Sequence, residues 1–383
     1  MASSSSSAHN QQHQPFPNLY GGATSAPPPT PSNNLTNDNN LFSTSAAADT
    51  LSHFLNRLPP NLSLPTKRRS SPTTTCPPSF SLSLSSNEVL SSVSKLGFAQ
   101  LTDHSLPSEL ANSAESEALA LFELSTTQKE SLLSKNNWPY GYEPGDDDEE
   151  GENRVKDSFR FDSSCTTEST ELELTSLREF TLALEKVGIK IIDSLTDAMG
   201  LVNPVGYDPT RLCSIMWVSE CVDQPGNLCG FYPFIIGLQY QLRCQKYSLL
   251  SDSGWVSVLP HVDSILVTVG DIAQVWSNGK LKKVRGRPMC MVGDENNAPY
   301  LTMSLLITLP TEANVAPLLP KPTIGNININ DQKEKDDDEE EDNNGGNEEL
   351  ERVFNSFDFE DYAWRVYHER LYLKDPLDRY RVI

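Results

Sequence analysis

The sequence predicts an α+β protein whose core is a double-stranded β-helix (jelly roll) flanked by helices and preceded by a disordered N-terminal region. Helical periodicity comes first along the folded part of the chain, and many short segments rich in β-branched and aromatic residues follow it. Ser, Pro, Asn, Thr and Gln dominate residues 1–85. Helices followed by a run of strands are typical of α+β domains with a closed or double-sheet β core. A segment as polar as 1–85 cannot bury enough apolar surface to fold alone.

Composition divides the 383 residues into five regions. Residues 1–85 form the disordered region, residues 86–205 the N-terminal part with helices and a strand, and residues 206–322 the jelly-roll barrel. An acidic disordered loop is predicted at 323–350. The tail, 351–383, is expected to form a helix and to pack on the barrel.

The net charge of −22 is concentrated in two tracts. Residues 146–152 hold six acidic residues and no basic one, and residues 331–349 hold eleven acidic residues against two lysines. Because a phosphate backbone requires a concentrated positive surface, we expect no nucleic-acid partner. No run of about 18 apolar residues is present, so we expect no membrane partner.

Cysteine usage and the N-terminus favour an intracellular location. Seven cysteines, an odd number without a Cys-x-x-Cys pair, are typical of reduced thiols. The first residues include no apolar export segment. We therefore expect a cytoplasmic protein. Lys67-Arg68-Arg69 leaves a nuclear location open, and the Ser-rich start leaves plastid import as a minor alternative, although no basic residue precedes Arg57.

Ordered elements are predicted from residue 87 onward, beginning with a short strand over 96–101 and a helix that ends near Leu124. Ser125 and Gln128 have the spacing of a capping box and predict the start of another helix. The clearest helix has apolar residues three and four apart: Leu177, Phe180, Leu184, Val187, Ile191, Leu195 and Met199. Ser176 with Glu179 predicts a second capping box, and Gly200 predicts the end of this helix.

Strand periodicity begins at Phe234, where β-branched and aromatic residues recur with a period close to two. Residues 301–309 form a further predicted buried strand. Asn278-Gly279 lies between apolar flanks. This pattern predicts a β-hairpin, because both residues tolerate positive φ.

Short motifs in a fixed order resemble the landmarks of one enzyme family. They are Gly97 to Pro107, Phe122-Glu123-Leu124, Trp255-Val256, Val269-Gly270-Asp271, Ser277-Asn278-Gly279 with Lys282, and Leu373 to Arg381. From about residue 87 to residue 383 the chain is similar to the plant branch of the 2-oxoglutarate and Fe(II)-dependent dioxygenases, the group shaped like isopenicillin N synthase. The resemblance implies the jelly-roll barrel and, in its active members, oxidation of a small molecule.

The resemblance also locates the positions that the family uses to bind iron, which are a His-x-Asp pair and a later His. Gly230 and Tyr232 stand at the pair, and Gly286 stands at the later His. Glycine has no side-chain donor, and a neutral phenol is a poor ligand for ferrous iron. We therefore expect no metal at these positions.

The family holds the carboxylate of 2-oxoglutarate with an Arg that lies two residues before a hydroxyl residue, because a guanidinium can donate two parallel hydrogen bonds. Tyr300 stands at the Arg position, and Thr302 stands at the hydroxyl position. The sequence thus predicts a degenerate pocket formed by Gly230, Tyr232, Gly286, Tyr300 and Thr302. We expect it to contain no catalytic residue and to bind no cofactor, with Fe(II) and 2-oxoglutarate as the alternative.

Two further features are alternatives at the site. His261-Val262-Asp263 is a literal His-x-Asp sequence and leaves a weak metal site open, although His368 is the only later histidine. A pair at a strand end that makes local hydrogen bonds is the favoured interpretation of His261 and Asp263. Arg285 and Arg287 flank Gly286, and one guanidinium could enter the cavity that iron fills in the family.

These observations support three functional hypotheses. The main one is a catalytically inactive, dioxygenase-like scaffold that binds a small molecule or a protein. The alternative is a divergent but active plant 2-oxoglutarate-dependent oxygenase that hydroxylates a small-molecule metabolite or hormone. The third, an enzyme of another chemistry that uses Tyr232 and Tyr300, has no evident activating partner in the sequence.

Overall fold

The computed structural model describes residues 52–53, 74–83, 85–133, 138–145, 157–168, 172–204, 211–220, 231–290, 301–321, 352–369 and 374–382. From residue 74 onward the described helices are α1 (Ser86–Ser94), α2 (Ser108–Phe122), α3 (Thr126–Leu132), α4 (Thr175–Ala198), α5 (Asp271–Trp276) and α6 (Phe359–Glu369), followed by a 3-10 turn at Pro376–Tyr380. Within these residues no helix is both long enough and apolar enough to cross a bilayer.

The strands carry most of the core. They are β1 (Thr74–Thr75), β2 (Ser79–Ser81), β3 (Phe98–Asp103), β4 (Gly141–Glu143), β5 (Ser158–Phe161), β6 (Cys213–Glu220), β7 (Ile236–Tyr240), β8 (Tyr247–Ser251), β9 (Gly254–Val258), β10 (Ile265–Val269), β11 (Val284–Cys290), β12 (Leu301–Thr308), β13 (Asn314–Val315) and β14 (Phe357–Asp358).

Two sheets form the jelly-roll core. The larger has the strand order β2-β3-β10-β7-β12-β6-β5-β4, and the smaller has the order β1-β9-β8-β11. In the larger sheet β12 pairs antiparallel with both β6 and β7, so these three strands lie at its centre. The predicted α+β jelly roll flanked by helices is confirmed.

Helix α4 is the predicted amphipathic helix, and it packs against α1, α2, β7 and β12. Its predicted apolar face is buried at Leu177, Phe180, Leu184 and Leu195. The predicted end is confirmed, because Gly200 adopts φ +65° directly after the last turn. The predicted capping box at Ser125 and Gln128 is likewise present at the start of α3.

The capping box predicted at Ser176 and Glu179 is wrong. Helix α4 begins at Thr175, so Ser176 already lies in its first turn. The N–H groups of Ser176 and Leu177 instead donate to the two carboxylate oxygens of Glu117 on α2, at 3.0 and 2.9 Å. A residue of another helix therefore caps α4, and local sequence spacing cannot indicate such a partner.

The hairpin predicted at Asn278-Gly279 is also wrong. Both residues have positive φ as the pattern requires, but they end helix α5 rather than joining two strands. The Gly279 N–H donates to the Gln274 carbonyl at 2.8 Å, which closes the helix end as in a Schellman motif. The turn chemistry was thus identified correctly, whereas the preceding element was not.

Strands β1 and β2 lie within the region 1–85 that the sequence predicts to be disordered. Each pairs in parallel with a barrel strand, β1 with β9 and β2 with β3. These contacts are made mostly by the backbone, and Phe80 supplies a buried apolar side chain. A composition argument misses such strands because it counts side chains, not the backbone hydrogen bonds that a sheet edge offers.

Candidate ligand-binding site in the barrel

Polar side chains lie on the face of β6 and β12 that points toward the smaller sheet. Thr302 and Ser219 are directly paired across the two strands, and their hydroxyl oxygens are 2.8 Å apart. Ser304, two residues further along β12, donates to the side-chain oxygen of Gln239 on β7 at 3.0 Å. All four side chains are buried. Burying polar groups costs free energy unless they are hydrogen-bonded, and these four side chains, the polar band, are hydrogen-bonded in two pairs. A few convergent polar groups in an otherwise apolar interior make the polar band a candidate ligand site.

Arg287 reaches this band from the opposite sheet. It lies on β11, and its Nη1 donates to the Ser219 hydroxyl at 2.7 Å and to the Thr302 hydroxyl at 3.3 Å. Its guanidinium also stacks over the Trp217 ring at 4.8 Å from the ring centroid. One side chain thus joins the two sheets and places a positive charge beside two buried hydroxyls. The sequence left open that a guanidinium beside Gly286 points into the barrel, and the contacts of Arg287 with Ser219 and Thr302 are of this kind.

A second guanidinium lies on the other side of this cluster. Arg160 on β5 contacts Trp217 at 5.2 Å and Tyr367 at 5.0 Å from the ring centroids. It forms an ion pair with Glu143 at 2.9 Å and donates to the Tyr367 hydroxyl. Burial raises the pKa of Tyr367 to about 12, so its hydroxyl stays protonated and donates to Glu143 at 2.7 Å. The charge of Arg160 is therefore compensated by a protein carboxylate.

Gly286, which the motifs predict to match the family's second iron-binding histidine, is covered by an aromatic ring. Gly286 adopts φ +68°, and a Cβ added there would overlap the Phe231 ring. The ring of Phe231 is buried and lies 5.9 Å from the Arg285 guanidinium carbon. The space into which a side chain at residue 286 would point is thus filled by Phe231.

Tyr232, which the motifs predict to match the family's iron-binding Asp, is a buried core residue. Its ring packs between Trp138 at 5.6 Å and Phe359 at 6.1 Å. Burial raises the pKa of Tyr232 well above its ordinary value, so the phenolate that would bind a metal is strongly disfavoured. Gly230 and Tyr300 lie outside the described residues. Thr302 therefore remains as the predicted pocket residue that lines the polar band.

His261 and Asp263 lie in the turn between β9 and β10. The Asp263 carboxylate accepts from the Tyr240 hydroxyl at 3.1 Å, and its backbone adopts φ +57°. The His261 ring contacts Cys76 and Gln100 instead of Asp263. Across the described parts of the chain, no group of three or more His, Cys, Asp or Glu side chains converges to hold a metal ion. Tyr232 and Gly286 therefore provide no side chain that is suited to binding the iron of the family.

Sequence reasoning missed Ser219, Trp217 and Arg160. A signal for the polar band was present in β12, where Thr302 and Ser304 alternate with Leu301, Met303 and Leu305. Alternation with period two places Thr302 and Ser304 on one face of the strand. The position of Arg160, two strands away from β12 in the same sheet, could not be found in this way, because it depends on strand order.

Comparison with known proteins agrees with this architecture. A family profile described as "non-haem dioxygenase in morphine synthesis N-terminal" matches residues 82–180. Gibberellin 2-beta-dioxygenase 1 of Pisum sativum is 25% identical over 261 residues, which are 58% of this chain and 72% of the relative. A 1-aminocyclopropane-1-carboxylate oxidase of Prunus mume is 24% identical over 282 residues, 70% of this chain and 80% of the relative.

A crystal structure described as "JOX2 in complex with 2OG, Fe, and JA" has the same fold. Its TM-score is 0.59 at 15% sequence identity, with 88% of this chain and 97% of that chain covered. The profile match, the relatives and the shared fold together support the 2-oxoglutarate-dependent dioxygenase superfamily. The family resemblance found in the sequence motifs is thereby confirmed.

For this superfamily member, the expectation that no cofactor is used is wrong. The relatives are dioxygenases and oxidases by name, and the solved neighbour JOX2 contains 2OG and Fe. These comparisons point to Fe(II) and 2-oxoglutarate. The relatives and the described residues therefore disagree at residues 232 and 286, the positions predicted from the motifs to match metal ligands, where the structure has a buried neutral phenol and a covered glycine.

Proposed function

We propose that the barrel of this superfamily member binds a small organic acid whose carboxylate pairs with Arg287 beside Ser219 and Thr302. The observation that carries this proposal is the hydrogen bonding of Arg287 Nη1 to both hydroxyls, at 2.7 and 3.3 Å, inside the polar band. A ligand that enters between the two sheets meets a guanidinium and two buried hydroxyls within hydrogen-bonding distance of one another.

The chemistry of these groups favours a carboxylate. A guanidinium presents five N–H donors in a rigid planar arrangement that matches a carboxylate with two parallel hydrogen bonds. Ser219 and Thr302 are both buried, and each has a single O–H. Thr302 donates to the Ser219 carbonyl at 3.3 Å, which leaves the Ser219 O–H to donate either to Thr302 or to a ligand. An electrostatic interaction in such a site is screened less by water than one at the surface. The side chain that binds the acid would thus come from β11, not from residue 300.

The names of the similar proteins support the same ligand class. One relative is an oxidase of 1-aminocyclopropane-1-carboxylate, and the JOX2 structure contains 2OG. Both compounds are small carboxylates. We infer that this protein retains recognition of a small acid, with Arg287 providing the charge that Tyr300 does not provide.

Calorimetric titration of the full chain with 2-oxoglutarate and with 1-aminocyclopropane-1-carboxylate tests the proposal. We expect at least one of the two acids to bind, and Arg287→Gln to weaken that binding by about tenfold or more, because a charged hydrogen bond contributes about 1.5–3 kcal/mol. Arg285→Gln is the matched control, since Arg285 lies on the same strand and donates to the Lys374 carbonyl instead. Absence of binding, or equal weakening by both substitutions, would overturn the proposal.

A second candidate function is oxidation of the bound acid, which the comparisons favour over an inactive scaffold because the relatives are named as dioxygenases and oxidases. Iron would supply oxygen activation, and the described residues assign no ligand to it. Incubation with Fe(II), 2-oxoglutarate and a candidate acid should then form succinate above the level seen with a chelator present. Binding without succinate formation would favour the purely binding protein.

A further inference from the structure

An exposed thiol and an imidazole face each other at the edge of the smaller sheet. Cys76 follows β1 directly, and its Sγ lies 3.4 Å from Nε2 of His261 in the turn after β9. The two residues are 185 positions apart in the chain. The thiol of Cys76 is exposed, so a solute can reach it.

Buried Gln100 holds both segments in place. Its Oε1 accepts from the His261 backbone N–H at 2.8 Å, and its Nε2 donates to the Pro77 carbonyl at 3.0 Å and to the Ser79 hydroxyl at 2.9 Å. The same Nε2 lies 3.4 Å from the Cys76 sulfur. Gln100 has no exposed surface, which restricts its own motion. The thiol and the imidazole are thus positioned by a shared internal group.

The pairing of β1 with β9 fixes the approach of Cys76 further. Thr74 and Thr75 pair in parallel with Ser257 and Val258, and the Leu259 N–H donates to the Thr75 carbonyl at 3.0 Å. Cys76 is therefore anchored on both sides, by this pairing before it and by the Gln100 contact to Pro77 after it. Such anchoring preserves the thiol–imidazole distance on which proton transfer depends.

We propose that Cys76 is a nucleophilic thiol activated by His261 and that it is a modification site for small disulfides and other soft electrophiles. In the tautomer that carries its proton on Nδ1, the neutral imidazole accepts the thiol proton at Nε2, and the resulting imidazolium donates back to the thiolate. A nucleophile within hydrogen-bonding reach of a base that a third group positions is the general arrangement for thiol activation.

The reaction with a disulfide proceeds in one exchange. The Cys76 thiolate attacks one sulfur of the small disulfide, the original S–S bond breaks, and a mixed disulfide forms at Cys76. The departing thiolate takes the proton from the His261 imidazolium and leaves as a thiol. The exchange needs no oxidant beyond the disulfide itself. This site lies outside the polar band of the barrel and does not depend on acid binding.

The same molecule contains matched comparison thiols. Cys244 is exposed like Cys76, and no His contact is found for it among the described residues. Cys165 is buried, and burial raises its pKa to about 12, so it should not react in the folded protein. Comparison of the three thiols separates the effect of exposure on the alkylation rate from the effect of the imidazole on that rate.

Residue-resolved mass spectrometry of the reduced full chain, labelled with iodoacetamide at neutral pH, tests the proposal. We expect Cys76 to be alkylated at least about five times faster than Cys244, because the His261 imidazole lies within reach of the thiol proton. His261→Gln should lower the Cys76 rate toward that of Cys244 and leave Cys244 unchanged. The backbone hydrogen bond from residue 261 to Gln100 is retained in this variant.

Incubation with glutathione disulfide should place the mixed disulfide at Cys76 before Cys244. Equal rates at Cys76 and Cys244 in the unaltered protein would overturn the proposal without recourse to any variant. An unchanged Cys76 rate in a folded His261→Gln protein, verified by its thermal unfolding, would overturn it as well.

Discussion

The carboxylate of Asp375 lies 2.6 Å from the ammonium of Lys283, whose side chain has no exposed surface. Lys283 is also 2.7 Å from Asp271 at the start of α5. This buried ion pair joins the C-terminal tail to the barrel. We therefore expect it to contribute to the stability of the fold.

Asp375→Asn should destabilise the protein by about 2 kcal/mol, since a hydrogen bond to a charged group is lost while Asp271 still pairs with Lys283. Burial alone would raise the pKa of Asp375, but the charge of Lys283, its hydrogen bond and the Leu377 N–H outweigh burial and lower it. Because the pKa of Asp375 is lower in the folded state than in the unfolded state, its carboxylate stabilises the protein at pH values above the unfolded pKa of about 4. This stabilisation is lost as the pH falls through the folded-state pKa.

Urea unfolding over a pH series from about 7 down to about 3 measures both effects. The difference in the free energy of unfolding between the unaltered protein and Asp375→Asn should decrease toward the acid end of the pH series. Asp378→Asn is the control, because its pair with Arg381 is partly exposed and contributes at most about 1 kcal/mol. If this difference in the free energy of unfolding stayed constant over the pH series, the ion pair would not be its cause.

Glu117→Ala should destabilise the protein by about 1 kcal/mol, because the first turn of α4 loses its two hydrogen-bond acceptors and a favourable negative charge. Glu179→Ala is the matched control. Glu179 is exposed, and we expect its replacement to change the free energy of unfolding by less than about 0.5 kcal/mol. Chemical denaturation measures the free energy of unfolding of both variants. A larger loss in Glu179→Ala than in Glu117→Ala would support the capping box predicted from the sequence.

Gly286→Ala should destabilise the protein more than Gly200→Ala. Both glycines adopt similar positive φ values, +68° and +65°, so the backbone strain of about 1–2 kcal/mol is shared. A Cβ at residue 200 meets no atom within 4 Å, whereas one at residue 286 overlaps Phe231. Overpacking of this kind adds about 1–3 kcal/mol.

A double-mutant cycle with Phe231→Ala isolates this overlap. Gly286→Ala should cost less in the Phe231→Ala background than in the unaltered protein, as measured by urea unfolding. Equal costs in the two backgrounds would mean that Phe231 does not occupy the space beside residue 286.

Motif order and hydrophobic period are local properties of the chain, so they were sufficient to predict the superfamily, the jelly-roll core and the amphipathic helix α4. The sequence also located Thr302, Gly286 and Tyr232, and it allowed a guanidinium beside Gly286. The expectation that no cofactor is used was wrong. It was drawn from replacements at a few positions, whereas relatives that are similar over most of their length are named as dioxygenases and oxidases.

The side chains that meet across distant elements could be identified only in the folded protein. Glu117 caps α4, Phe231 covers Gly286, Arg287 reaches Ser219 across the two sheets, and Cys76 faces His261. Alternation along a strand fixes which residues share a face, but contacts between faces depend on strand order and on the separation of the sheets. Those quantities are set by packing of the complete core, which no local pattern specifies.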